Sequence, residues 1–92
     1  MAKYYVESGP VQLVLAAESP LAAAVKAFQW TCDRQAEILA ESPLDHVQQA
    51  DELGVQFDDV VFVNERGFGR FEAVWHAETV DILEAWMANH PL

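Results

Sequence analysis

The sequence predicts an α+β fold: two ββα units forming a four-stranded antiparallel sheet with helices packed on one face, plus a short connector helix. Three observations predict it. Two stretches alternate apolar and polar residues at period two around glycine-bearing turns. Each is followed by a Ser or Thr and then by apolar residues at helical spacing. Between them lies a third helical stretch with only a thin apolar face. The units run over about residues 3–40 and 59–89, joined by a connector over about 41–58, in a single domain of 92 residues.

Lys3 to Glu7 is rich in aromatic and β-branched residues and is interrupted by Ser8-Gly9-Pro10. In Val11 to Ala16, Val11, Leu13 and Leu15 share one face, with Gln12 and Val14 on the other. The short separation demands an antiparallel hairpin. Ser19-Pro20 then suits a helix start, the hydroxyl capping free amides and proline losing nothing at the first helical position. Leu21, Val25, Phe28, Cys32, Ala36 and Leu39, with the polar Gln35 among them, set out a stripe to about Leu39 or Ala40. Acid at Glu37 and Glu41 would fray the end of that helix. Ser42-Pro43-Leu44-Asp45 repeats the start signal, and Gly54 stops a helix over Pro43 to Leu53 whose apolar face is Val47, Ala50 and Leu53.

The second hairpin is the stronger β signal. Val60 to Val63 is continuously β-prone, and Phe71, Ala73 and Trp75 alternate with Arg70, Glu72 and Val74. Thr79 caps a helix bearing Val80, Ile82, Leu83, Trp86 and Met87, which Asn89-His90-Pro91 ends. Aligned at their turns, the two units echo one another: Glu7 meets Glu65, Gly9 meets Gly67, Val14 meets Val74 and Ser19 meets Thr79. The inward sets also coincide, Val11, Leu13 and Leu15 on Phe71, Ala73 and Trp75. Outward positions Tyr5, Val14, Val63 and Val74 leave the sheet face away from the helices apolar. Trp75 and Trp86 are expected in the core.

Fifteen acidic against five basic residues give a net charge of −10, which repels phosphate backbones and anionic membranes. Duplex nucleic acid and membrane are therefore disfavoured as partners. The single cysteine, Cys32, excludes an internal disulfide, and the N-terminal residues lack the apolar run of a signal peptide. A cytoplasmic setting is expected.

Against that acidity, Arg66-Gly67-Phe68-Gly69-Arg70 concentrates two of the five basic residues around an aromatic. Arg66, Phe68 and Arg70 are the candidate partner contacts, since arginine and aromatic residues dominate binding hot spots. The structural alternative is that the glycines serve the turn while Phe68 folds back on the sheet. Arg66 to Gly69 resembles the opening of the RNP1 segment of the RNA-recognition motif. Arg70 and Ala73, however, stand where that segment carries aromatics, and the order of elements differs, so membership is not inferred. A stacking role for Phe68 is what the resemblance leaves.

His76-Ala77-Glu78 matches half of the zinc deaminase signature, without the paired cysteines that complete it. His76 and Glu78 remain candidates only for lining a pocket. Asp58-Asp59 reads as a turn that starts a strand, and Cys32 as a small core residue. No catalytic residue, cofactor or metal site is assigned.

The expected function is a non-catalytic, acidic protein-interaction module that binds a protein partner or itself. Two alternatives stand beside it. One is an inhibitor or antitoxin-like protein occupying a basic nucleic-acid-binding partner; the other is a small-molecule-binding domain or minor enzyme with a pocket near His76.

Overall fold

The computed structural model of the chain describes residues 1–69 and 75–89. Among these residues seven elements follow in order: β1 (Ala2–Ser8), β2 (Val11–Ala17), α1 (Pro20–Gln35), α2 (Pro43–Glu52), β3 (Val60–Asn64), β4 (Trp75–Glu78) and α3 (Thr79–Asn89). The strands form one antiparallel sheet in the order β2-β1-β3-β4, with each hairpin contributing its first strand to the centre. Helices α1 and α3 pack side by side on one face of it.

The first hairpin closes through the two-residue turn Gly9-Pro10 between paired Ser8 and Val11. Gly9 has φ +56°, the positive value that a primed turn needs at its first central position. Beyond it the register runs unbroken from Ser8↔Val11 to Ala2↔Ala17. Facing residues lie on the same side of an antiparallel sheet. Val6 pairs with both Leu13 and Val63, so all three point toward the helices.

That register overturns one expectation. Val63 is 1 % exposed and belongs to the core, not to the outward set. Phe62 takes the outward position instead. A continuous run such as Val60 to Val63 carries no alternation from which its facing could be read; the pairing with β1 decides it. Val74, expected outward, and Phe71 and Ala73, expected inward, lie outside the described residues. So does the helix stop at His90-Pro91.

The core is built from Tyr4, Val6, Ala17, Val61, Val63 and Ile82 against Ala23, Ala24 and Ala27 of α1. Thr31 completes the buried face of α1, its hydroxyl donating to the Phe28 carbonyl at 2.6 Å. The helix is thus turned relative to the predicted stripe. Leu21 is 44 % exposed and Leu39 is 93 % exposed, beyond the end of the helix. Small alanines at the centre of the contact let the helix lie close to the sheet, while bulkier Val25 and Phe28 pack at its margins. Phe28 meets Phe57 and Trp86 edge-on, at 5.8 and 5.7 Å between ring centroids. Trp86 donates from Nε1 to Gln29 Oε1 at 2.6 Å, and it and Trp75 are half-buried margins of the core rather than its centre.

Both Ser-Pro starts form as read: Ser19 accepts from the Ala22 amide and Ser42 from the Asp45 amide, each at 3.1 Å. Thr79 differs from its echo. Its hydroxyl donates to the Asp58 carbonyl and its amide to the Asp59 carbonyl at 2.8 Å, tying the start of α3 to the start of β3. Helix α1 ends at Gln35, earlier than the stripe suggested, because Gln35 is recruited elsewhere. Its carbonyl accepts from the Ile38 amide at 3.1 Å and from His46 Nε2 at 3.1 Å, and its side-chain amide donates to the Val55 carbonyl at 2.8 Å. These bonds dock α2 on the end of α1, explain the polar residue in the stripe, and need only Ala50 of α2 to be buried. Val47 and Leu53, expected on its apolar face, are 50 % and 65 % exposed.

Candidate functional site: the open face of the sheet

With α1 and α3 on one face, the other carries Lys3, Tyr5 and Glu7 of β1, Gln12, Val14 and Ala16 of β2, Val60, Phe62 and Asn64 of β3, and His76 and Glu78 of β4. Tyr5 sits at its middle, paired with Val14 on one side and Asn64 on the other. Lys3 Nζ stands 5.2 Å from the centroid of the Tyr5 ring, within cation–π range. Glu7 lies between Gln12 and Phe62 and accepts from Gln12 Nε2 at 2.8 Å. Phe62 in turn faces His76, the two rings tilted at 39° with centroids 6.2 Å apart.

The turn after β3 is folded onto this face by Asn64. Its side-chain oxygen accepts from the Arg66 amide at 2.7 Å and the Gly67 amide at 2.8 Å, an Asx turn that reverses the chain. Gly67 and Gly69 hold φ of +140° and +75°, and the Gly69 amide donates to Glu7 Oε1 at 3.4 Å. Phe68 is carried back over β1, where its ring meets Tyr5 at 90° with centroids 5.3 Å apart. Of the candidate contacts, Phe68 is therefore a half-buried lid on Tyr5 rather than a projecting tip, Arg66 is exposed in the turn, and Arg70 lies outside the described residues.

His76 and Glu78 are two residues apart on β4, both exposed on the open face. Glu78 borders a groove of about 370 Å³ with Asp59, Val60, Thr79 and Val80, and His76 does not line it. A larger cleft of about 500 Å³ lies between the end of α1 and α2, lined by Arg34, Glu37, Ile38, Leu39, Gln49, Leu53 and Val55. Its charged groups are an Arg34–Glu37 pair at 3.0 Å that satisfies itself. Among the described residues no group of three or more His, Cys, Asp or Glu is placed to hold a metal ion.

Compared with protein-family models, with curated proteins and with solved structures, the chain has no significant match. Among the described residues no helix is long and apolar enough to cross a membrane.

Cys32 is half-buried, and burial above all, with the Asp33 carboxylate second, raises its thiol pKa; a Thr31 hydrogen bond offsets part of the rise. A protonated thiol is a poor nucleophile; expected as a small core residue, Cys32 is only half-buried and is not among the core residues.

Sequence reasoning found Tyr5 and Val14 and missed Phe62, Asn64 and Lys3. Only the asparagine left a signal: a residue prone to Asx turns stands at the end of a β-prone run, three residues before a glycine.

Proposed function

We propose that the chain is a non-catalytic protein-interaction module whose contact surface is the open face of its sheet. The observation that carries this reading is the placement of Tyr5, Phe62 and Phe68 on the face opposite α1 and α3. Aromatic rings give large contact area at little entropic cost, and Glu7, Gln12, Asn64 and His76 around them supply polar rim contacts. The charge of −10 weighs against phosphate-bearing partners and leaves protein as the favoured class.

The inhibitor alternative asks for carboxylates gathered on one surface. The acids are only partly gathered: exposed Asp51, Asp58 and Asp59 line one groove and Asp59 and Glu78 another, while Asp33, Glu52 and Asp81 stand on three separate helices. The pocket alternative asks for polar groups converging near His76, and the groove that Glu78 borders is not lined by His76.

A photo-crosslinking residue at position 62, compared with one at Asp33 on the helix side, tests the reading in the native cell. Discrete protein adducts from position 62 and not from position 33 are expected. Identical adducts from both, or none from position 62, would overturn it.

A further inference from the structure

Among the described residues strand β2 is an edge of the sheet, seven residues long, and pairs on one side only, with β1. In an antiparallel pair, backbone groups point alternately toward the partner strand and away from it. The tight turn makes Ser8↔Val11 the closing hydrogen-bonded pair, so Val11, Leu13, Leu15 and Ala17 bond to β1. The amides and carbonyls of Gln12, Val14 and Ala16 then point outward. A side-chain contact agrees with that phase: Lys26 Nζ reaches down from α1 to the Ala16 carbonyl at 2.9 Å.

Edge strands of monomers usually carry something that blocks pairing, such as a charge, a proline or a bulge. The residues of Val11 to Ala17 are themselves none of these, although the chain has 15 acidic residues, and the one charge seen to reach the edge is Lys26 at its Ala16 end. Its side chains are unprotected as well. Val14 is 50 % exposed on the open face, and Leu13 and Leu15 are only partly buried at the helix side of the rim.

These features complement themselves. If two copies meet antiparallel about a two-fold axis at Val14, Val14 faces Val14 and Gln12 faces Ala16, each pair exchanging both backbone hydrogen bonds. Leu13 of one copy then stands beside Leu15 of the other, which covers the exposed parts of both. No carboxylate meets a carboxylate across the seam, because neither edge holds one. The Ala16 carbonyl has a second lone pair, so Lys26 need not leave.

We infer that the chain dimerises through β2, joining two four-stranded sheets edge to edge into one sheet of eight strands with a continuous open face. The inference rests on the interaction-module reading and names the partner of its β2 margin: a second copy of the chain.

Sedimentation equilibrium of the full chain, with hydrogen exchange at the same concentrations, tests it. A monomer–dimer equilibrium is expected, with the Gln12, Val14 and Ala16 amides exchanging about tenfold or more slowly when the dimer is populated. Val14→Lys places two cations face to face, and Val14→Pro removes only an outward amide; both are expected to yield monomers with unchanged far-ultraviolet circular dichroism. A strict monomer at high concentration, or a dimer whose three amides exchange as in the monomer, would overturn the inference. Crosslinking at position 62 separates this failure from that of the wider reading. Adducts there with a monomeric chain remove only the β2 dimer, and neither adducts nor dimer removes both.

Discussion

The Ser8 hydroxyl, 1 % exposed at the end of β1, donates to the Val60 carbonyl at 2.8 Å and accepts from the Asp58 amide at 2.9 Å. One small side chain thus satisfies two backbone groups of a segment 50 residues away and fixes where β3 begins.

Ser8→Ala removes that donor and acceptor together and leaves part-buried backbone groups unpaired, a loss of about 1–3 kcal/mol. Urea denaturation checks it through a lower midpoint at unchanged slope. Gln12→Ala, which breaks an exposed bond to Glu7, is the contrast and is expected to change stability by less than about 0.5 kcal/mol.

Tyr5 and Phe68 are expected to be energetically coupled by about 0.5–1.5 kcal/mol, the range for edge-on aromatic pairs. A double-mutant cycle through Tyr5→Leu and Phe68→Leu measures this directly. Coupling indistinguishable from zero would mean that Phe68 does not rest on β1 in solution.

The alanine face of α1 makes a prediction about size. Ala27→Leu forces a larger side chain between helix and sheet and is expected to cost about 1–3 kcal/mol in thermal or chemical unfolding. Leu39→Ala, at a residue 93 % exposed, is expected to stay within about 0.5 kcal/mol of the parent.

Cys32 should alkylate slowly near neutral pH, with a rate still rising above the pH at which a free thiol levels off, because its pKa is raised in the fold. Iodoacetamide kinetics across pH, against the urea-unfolded chain, measure it. The linked stability has a definite sign. The unfolded thiol ionises first, so its contribution is complete below the unfolded pKa and is lost as pH climbs toward the folded value.

The element plan was legible from local chemistry. Ser-Pro starts, Gly-bearing turns and alternation in Val11 to Ala16 each act over a few residues, and each formed where read. Facing was less legible. The run Val60 to Val63 and the alanines at 22–24 offer little hydropathy contrast, so local pattern points Val63 outward and runs the α1 stripe through Leu21 rather than Ala23 and Ala27. At the candidate site the glycines and Phe68 announced a turn, whereas its direction depends on Asn64 and on Tyr5 of a strand distant in sequence.

By itself the sequence determined the α+β class, the two hairpins, the helix starts and the acidity that disfavours phosphate-bearing partners. These follow from steric, capping and charge effects that need no distant residue. The tertiary structure decided the strand order, the inward turn of Val63, the folding of Phe68 onto Tyr5, and which strand is left as an uncharged edge. Each depends on β1 pairing with β3 across more than fifty residues, and backbone pairing of that kind is written in no local pattern.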